Sequence, residues 1–258
     1  MKKIAILTGA TGGLGHAFLA QLINEDLDEI WAVARSQQKL DNLRSTYGAK
    51  ILPISADLSA PQGIAQIRDM LQEQRPFVSY LINNAGMARM GRYDEFSLEE
   101  ISKTIDLNCK APVLLAQICI PHMGQGSKIL NISSASSFQP NPYINLYAAS
   151  KVFERSYSRA LNVELEGTGI SSVAVCPGWI DTELLQKEID GKPVRFPGLV
   201  SPDRVAKQAI RDAKKGKDMS VCSLYVKYLH VNSKMTPQRW IMKIWMAGIG
   251  KYLKRSAT

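Results

Sequence analysis

The run Thr8–Gly15, T-G-A-T-G-G-L-G, constrains this chain more than any other feature. It comes after an apolar stretch, Ile4-Ala5-Ile6-Leu7, and leads into an amphipathic one from Ala17 to Ile23. A glycine-rich turn between a buried strand and a helix presents backbone N–H groups and the positive end of a helix dipole, a setting that suits an anion. Gly9, Gly13 and Gly15 allow a sharp turn, close approach of the backbone to a pyrophosphate and tight packing of helix on strand. Thr8, Thr11 and Leu14 complete this turn. Glycines also mark ordinary turns, so the weight of the motif comes from its strand–turn–helix setting and from the motifs downstream of it.

Beyond the turn the chain alternates regularly between two patterns. Strand-like runs fall at Ile4–Thr8, Ile30–Ala34, Ile51–Ile54, Tyr80–Ile82, Lys128–Ile132 and Ser171–Cys176. Helical patterns lie near 13–24, 37–47, 60–75, 97–122 and 147–166, with Ser97 and Glu100 spaced as a capping box. Strands separated by helices imply right-handed βαβ units, hence an α/β fold: a doubly wound, Rossmann-type parallel sheet with helices on both faces. A chain of 258 residues, 45% hydrophobic, suffices for one such domain, and no linker or internal repeat argues for a second. Residues 1–190 are expected to form the cofactor and catalytic core, and 190–258 a substrate loop and basic helical segment.

The bulk properties exclude several classes. Met1-Lys2-Lys3 runs straight into a strand without a secretory leader, and no apolar run has the length of a membrane span. Cys109, Cys119, Cys176 and Cys222 show no C-x-x-C pairing and sit in apolar patterns, as free thiols of a cytoplasmic protein do. His16, His122 and His230 are too scattered for a metal site. The net charge of +9 is concentrated at one end: residues 219–258 hold seven lysines and arginines and no acid. Those charges alternate with apolar residues, a pattern unlike a phosphate-facing stripe, so no nucleic-acid partner is expected.

At the end of the second strand, Val33-Ala34-Arg35-Ser36, the acid that would bind an adenosine ribose 2′-hydroxyl is missing. Arg35 stands beside the vacancy, and a guanidinium suits a 2′-phosphate. The alternative is a solvated surface arginine; the missing acid favours NADP(H) over NAD(H). Asp57-Leu58 comes after the third strand and Asn83-Asn84-Ala85-Gly86 after the fourth. Each is ordinary turn chemistry alone, but together they fall at successive strand ends, where such sheets bind ligands.

Tyr147 and Lys151, four residues apart, share one helix face. A phenol has a reference pKa of about 10, and a cation within roughly 4–6 Å lowers it by about 1–3 units, which makes proton transfer near neutrality feasible. Ser134 comes after the fifth strand, where its hydroxyl would bond a substrate oxygen, with Ser133 and Ser136 as competitors. Asn108 sits in an apolar helical stretch and needs hydrogen-bond partners: a water leading to Lys151, its own helix or a neighbouring one.

These residues together resemble the compact short-chain dehydrogenase/reductases over about residues 1–190. T-G-x-x-x-G-x-G matches at Thr8–Gly15, N-N-A-G at Asn83–Gly86, and Y-x-x-x-K at Tyr147–Lys151. The thirteen-residue step from Ser134 to Tyr147 is similar to the family's spacing. The resemblance implies a tetrad of Asn108, Ser134, Tyr147 and Lys151, and hydride transfer between nicotinamide and a carbonyl or alcohol carbon without metal. Tyr147 would be the acid/base, Ser134 would orient the oxygen, Lys151 would hold the nicotinamide ribose, and Asn108 would support a proton relay. Pro177-Gly178-Trp179-Ile180-Asp181-Thr182 is similar to the family's P-G-x-x-x-T segment, with Ile180 and Thr182 against the carboxamide. The resemblance also implies a homodimer or homotetramer.

The substrate is less legible. Phe138–Tyr143, Trp179, Met87, Met90, Leu184 and Leu185 suggest an apolar pocket for a small carbonyl or alcohol substrate, or else ordinary packing. Asp190–Gly198 reads as a loop able to close over it. Ser201-Pro202 starts a further helix that ends at Lys214-Lys215-Gly216. From Thr236-Pro237 onward, Trp240, Ile241, Ile244, Trp245, Gly248, Ile249, Tyr252 and Leu253 recur at helical spacing among Lys243, Lys251, Lys254 and Arg255. Packing on the pocket or another subunit is favoured for this segment, with peripheral contact to an anionic membrane as the alternative. Two other functions stand beside the reductase: a non-catalytic NADPH-binding sensor, and a membrane-associated reductase of lipid-like carbonyls.

Overall fold

The computed structural model describes residues 1–183, 185, 188–189 and 192–253. Seven parallel strands form one sheet: β1 (Lys3–Thr8), β2 (Glu29–Ala34), β3 (Ile51–Ser55), β4 (Phe77–Asn83), β5 (Lys128–Ile132), β6 (Ser171–Val175) and β9 (Met219–Ser220). Their order is β3-β2-β1-β4-β5-β6-β9, so the direction of winding reverses between β1 and β4. A separate antiparallel pair, β7 (Glu188–Ile189) and β8 (Lys192–Pro193), was not expected; β7 precedes the expected substrate loop Asp190–Gly198 and β8 falls within it.

Strand pleating sorts the core into two layers. Ala5, Leu7, Ile30, Ala32 and Val173 face α1 (Gly13–Leu22), α2 (Gln37–Tyr47) and α7 (Pro202–Lys214). Ile4, Ile6, Trp31, Val33 and Ile129 face α3 (Pro61–Gln74), α5 (Ala111–Cys119) and α6 (Asn145–Glu164). Because β1 is buried on both faces, its sequence is a continuous apolar run rather than an alternating one. The doubly wound fold read from the alternation is the fold observed.

Local signals place several boundaries. Ser97 and Glu100 form the reciprocal capping box at the start of α4 (Leu98–Ile105). Ser201 caps α7 through the Arg204 N–H, and Gly216 lies just past its end at φ +67°. Three expectations need correction. The stretch 97–122 is interrupted: Asp106–Lys110 forms a π-turn between α4 and α5, and Ile120–His122 a 3-10 turn. The strand β9 was not expected, because two residues carry no periodicity. Nor was α8 (Leu224–Met235), which precedes α9 (Gln238–Leu253).

Candidate active site

Motifs far apart in sequence meet at the carboxyl ends of the strands. The Thr8 hydroxyl accepts from the Asn84 and Ala85 N–H groups at 3.0 and 2.9 Å, and donates to the Ile82 carbonyl. Asn84 Nδ2 donates back to the Thr8 and Gly9 carbonyls, both at 3.0 Å. Gly9 has φ +63°, and a Cβ there would lie 2.9 Å from the Ala85 Cα. A Cβ on Gly15 would lie 2.4 Å from the Gly9 carbonyl oxygen, so α1 packs on the turn only as glycine. No side chain caps α1 and its first turn holds no acid. Its first internal bond runs from His16 N–H to the Gly12 carbonyl, so the N–H groups of Gly13, Leu14 and Gly15 precede the helical ladder. That is a cradle for an anion. Leu14 itself is buried in the core below.

The segment after β6 closes over this turn. Thr182 Cγ2 would meet a Cβ on Gly13 at 3.0 Å. The Pro177 carbonyl accepts from Ala135 N–H at 2.7 Å, Gly178 lies against Val226 of α8, and Ile180 bridges to Val200. On the other side of the turn, Arg35 is exposed. Asp57 Oδ1 accepts from the Ser59 N–H and hydroxyl, an Asx turn. These bonds first, and the Arg35 and Lys103 charges after them, hold its carboxyl below the usual range. Leu58 is buried against α3. Gly63, unremarked in the sequence, lets α3 start against this turn: a Cβ there would lie 2.2 Å from the Asp57 carbonyl oxygen.

Tyr147 and Lys151 sit in the first two turns of α6, with Lys151 Nζ 5.7 Å from the centre of the phenol ring. Lys151 is buried, and its ammonium donates to the Ile132 carbonyl and to Glu154 Oε2, both at 2.7 Å. The three serines separate by their bonds. Ser133 is committed to the Lys151 carbonyl at 2.7 Å, and Ser136 gives its N–H to Ser134 Oγ at 3.1 Å. Ser134 therefore acts there as an acceptor and keeps its own hydroxyl proton to donate. Asn108 lies on the π-turn, fully buried. Its amide bonds the Met87 backbone in both directions and donates to Ser150 Oγ at 3.0 Å. The amide's partners are thus a strand-end loop and the neighbouring helix. A Cβ on Gly86 would lie 3.4 Å from both Asn108 Oδ1 and Lys151 Nζ, which brings the N-N-A-G loop against these two side chains.

The expected pocket residues fare unevenly. Phe138 is core rather than lining: it is buried, its ring 4.2 Å from that of His230, with the Arg155 guanidinium 5.0 Å above it. Met90 is exposed, Leu185 is half-buried, and Leu184, Asp190 and Lys254–Arg255 lie outside the described residues. Trp179 and Phe196 bring their rings to 5.0 Å. Tyr143 adopts φ +67°, rare for a bulky residue, and its carbonyl accepts from Gly91 N–H. Trp245 donates to the Pro142 carbonyl at 2.9 Å, so α9 is anchored on the loop between Ser134 and Tyr147. All four cysteines are free, with Cys119 and Cys176 buried and Cys109 and Cys222 half-buried. Among the described residues, no three His, Cys, Asp or Glu side chains gather as metal ligands do, and no helix is long and apolar enough to cross a membrane.

Residues 3–193 match the family model of the short chain dehydrogenases. The chain belongs to the short-chain dehydrogenase family. This family member is 25% identical over 187 residues to an oxidoreductase of Staphylococcus epidermidis, covering 72% of this chain and 81% of the relative. Its structure resembles that of a short-chain dehydrogenase from Sphingobium yanoikuyae in complex with NADPH, with TM-score 0.76, 27% identity and coverage of 90% and 93% of the two chains. It also resembles the bulky-bulky ketone specific alcohol dehydrogenase from Comamonas testosteroni, with TM-score 0.75, 25% identity and coverage of 91% and 92%. Sequence reasoning missed one charged group of this short-chain dehydrogenase, Glu154. Its only signal was an acid one helical turn beyond Lys151, on the same face.

Proposed function

We propose that this short-chain dehydrogenase is an NADP(H)-dependent oxidoreductase, interconverting the carbonyl and alcohol forms of a small apolar substrate. The observation that carries the proposal is the meeting of Asn108 and Lys151 at Gly86 of the N-N-A-G loop, with Tyr147 one turn before Lys151 on α6 and Ser134 two residues beyond Ile132, whose carbonyl Lys151 bonds. The residues fit a dinucleotide. The uncapped N-terminus of α1 suits its pyrophosphate, Gly9, Gly13 and Gly15 leave the room it needs, and exposed Arg35 suits a 2′-phosphate. Asp57 and Leu58 would border the adenine, Asn84, Ala85 and Gly86 the ribose, and Pro177, Gly178, Ile180 and Thr182 the nicotinamide. The NADPH complex of the Sphingobium neighbour and the ketone specificity of the Comamonas enzyme support the same reading.

The nicotinamide, when bound, supplies the hydride for reduction and takes it back in the reverse reaction. Tyr147 gives its phenolic proton to the carbonyl oxygen as the substrate carbon gains that hydride, and recovers one from solvent afterwards. Ser134 donates to the same oxygen and fixes its position. Lys151 lowers the cost of the Tyr147 phenolate by its charge and holds the nicotinamide ribose. Asn108 keeps the Met87 backbone and α6 in register. The test is NADPH oxidation across carbonyl compounds graded by size and apolarity, with Tyr147→Phe as control. Turnover should rise with apolarity and fall roughly 100-fold or more in the variant. Tight NADPH binding without turnover would favour the sensor instead.

A second reading adds a location. On α8, Leu224, Tyr228, Val231 and Met235 form an outward apolar stripe, Met235 at 81% exposure, with Lys227 and Lys234 along one edge. Trp240 and Ile244 on α9 are exposed as well, although Ile241, Ile249 and Trp245 pack inward. Residues 219–258 contain no acid, so two copies meeting by a two-fold axis through this stripe would oppose like charges. Anionic lipid would neutralise them and bury the stripe. Sedimentation with phosphatidylserine-containing vesicles should carry down the wild type and leave a Tyr228→Glu/Val231→Glu variant in solution. Equal, negligible sedimentation of both would discard the membrane surface.

A further inference from the structure

One charged group beside the tetrad has no part in the mechanism above. Glu154 lies three residues beyond Lys151 on the same face of α6, and the two are 1% and 5% exposed. Glu154 Oε2 accepts from Lys151 Nζ at 2.7 Å, whereas its Oε1, also buried, meets no donor. The ammonium spends a second proton on the Ile132 carbonyl at 2.7 Å. An ammonium has three protons, so one is left. The room beside it is kept by Gly86, where a Cβ would lie 3.4 Å from Nζ. A ribose diol offers two oxygens. Lys151 serves both only when Glu154 gives up its share.

We propose that Glu154 is a positioning residue that acts through Lys151: as its buried counter-ion it decides how many hydrogen bonds the ammonium presents to the cofactor. The inference rests on the reading of Lys151 as the residue that holds the nicotinamide ribose. With Glu154 ionised, the ion pair holds Nζ back toward the floor of the site. With Glu154 protonated, the pair weakens and Nζ turns a second proton to the diol.

The electrostatics place that change near neutrality. Burial, with one oxygen unpaired, pushes the Glu154 carboxyl up to about 7 in spite of the Lys151 charge. Burial is the largest single influence on the ammonium and opposes it, but the charge and hydrogen bond of Glu154, together with Tyr147 and Cys109, hold Lys151 above its ordinary value. The other titratable groups around the pair are Tyr147 on α6, Cys109 on the π-turn and Cys176 beyond β6. Burial raises both thiols, Cys176 to about 11, so neither ionises in the range where Glu154 does.

The test is NADPH affinity of the full chain, followed by quenching of protein fluorescence from about pH 5 to 9 in wild type, Glu154→Gln and Glu154→Val. Titration of the cofactor and of residues away from the pair is common to the three proteins. The ratio of wild-type to variant Kd should therefore isolate the Glu154–Lys151 pair, in which only the wild type has a carboxyl proton to lose near 7. That ratio is expected to rise roughly 3- to 10-fold as the pH passes through about 7, with the same profile against either neutral variant. Two neutral side chains of different shape guard against a folding defect in one of them. A ratio that stays flat while all three bind NADPH would overturn the role of Glu154 alone. No NADPH binding at any pH would overturn the cofactor reading and this inference with it.

Discussion

Asn108 and Met87 clasp each other in both directions: the amide donates to the Met87 carbonyl at 2.9 Å and accepts from its N–H at 2.8 Å. The clasp fastens the loop after β4 to a helix, at the π-turn that carries Asn108. The wider turn at Asp106–Lys110 departs from the α-helical ladder at the residue that carries the amide. Replacing Asn108 by Ala leaves a backbone donor and acceptor of Met87 without partners in a partly buried place. The expected loss is about 1–3 kcal/mol of stability, read as a lower urea midpoint with an unchanged slope. An unchanged midpoint would mean that the loop holds its shape without the amide.

Neighbouring glycines of the turn should respond very differently to the same methyl group. A Cβ on Gly15 would sit 2.4 Å from the Gly9 carbonyl oxygen, whereas one on Gly12 meets that oxygen at an ordinary 3.6 Å. Gly12 also has φ −86°, which any residue adopts. Gly15→Ala is expected to lower the melting temperature sharply because backbone must move, and Gly12→Ala to leave it within a degree or two, roughly the effect of a neutral surface change. Thermal melts of the two variants side by side decide this.

Arg35→Ala tests the choice of cofactor. A charge-assisted bond to a 2′-phosphate is worth about 1.5–3 kcal/mol, so NADPH affinity should fall roughly 10- to 100-fold. NADH lacks that phosphate, and its affinity should hardly change. Isothermal titration of both cofactors against both proteins gives the four constants; equal losses for NADPH and NADH would leave Arg35 as a surface charge.

Glu154 should also make stability depend on pH. Unfolded, its carboxyl titrates near the ordinary value of about 4.3; folded, burial pushes it up to about 7. Below the unfolded value both states carry the proton and the group costs nothing. Between the two values the native state keeps a proton that the unfolded chain releases, so stability falls as pH rises, and the loss is complete above the folded value. The melting temperature of wild type, measured relative to Glu154→Gln, is expected to decline between about pH 5 and 8, by roughly 2–4 °C for each kcal/mol lost. A constant difference would show that Glu154 titrates normally.

Most of the sheet was legible because β1, β2, β5 and β6 are short apolar runs bounded by glycine, acid or serine, and such runs have few other places to go in an α/β chain. The glycine-rich turn after β1 was legible for a similar reason. Its glycines, its strand and its helix are adjacent in sequence, and one local conformation satisfies all three. The choice among Ser133, Ser134 and Ser136 was not legible, since three serines within four residues offer the same chemistry to a reader of the sequence. Only the bonds from Ser133 to the Lys151 carbonyl and from the Ser136 N–H to Ser134 tell them apart. Phe138 was left open between pocket lining and ordinary packing because an aromatic residue near Tyr147 packs as readily inward, here on His230, as toward a substrate.

The sequence by itself determined the alternation of the first six strands with helices, the glycine-rich turn after β1, the caps at Ser97 and Ser201, and the common face of Tyr147 and Lys151. Each is a property of a few consecutive residues, governed by backbone sterics, side-chain periodicity and local hydrogen bonds. Tertiary structure decided what those residues touch. The Thr8 hydroxyl accepts from N–H groups more than seventy positions away. The strand β9 exists because β6 offers it an edge. Asn108 meets Met87 only across the π-turn. Glu154, ordinary in sequence, becomes a buried and half-paired carboxylate because the packing of α6 against the sheet excludes water from it. Burial and long-range pairing are sums over contacts between distant segments, and no stretch of the chain carries them alone.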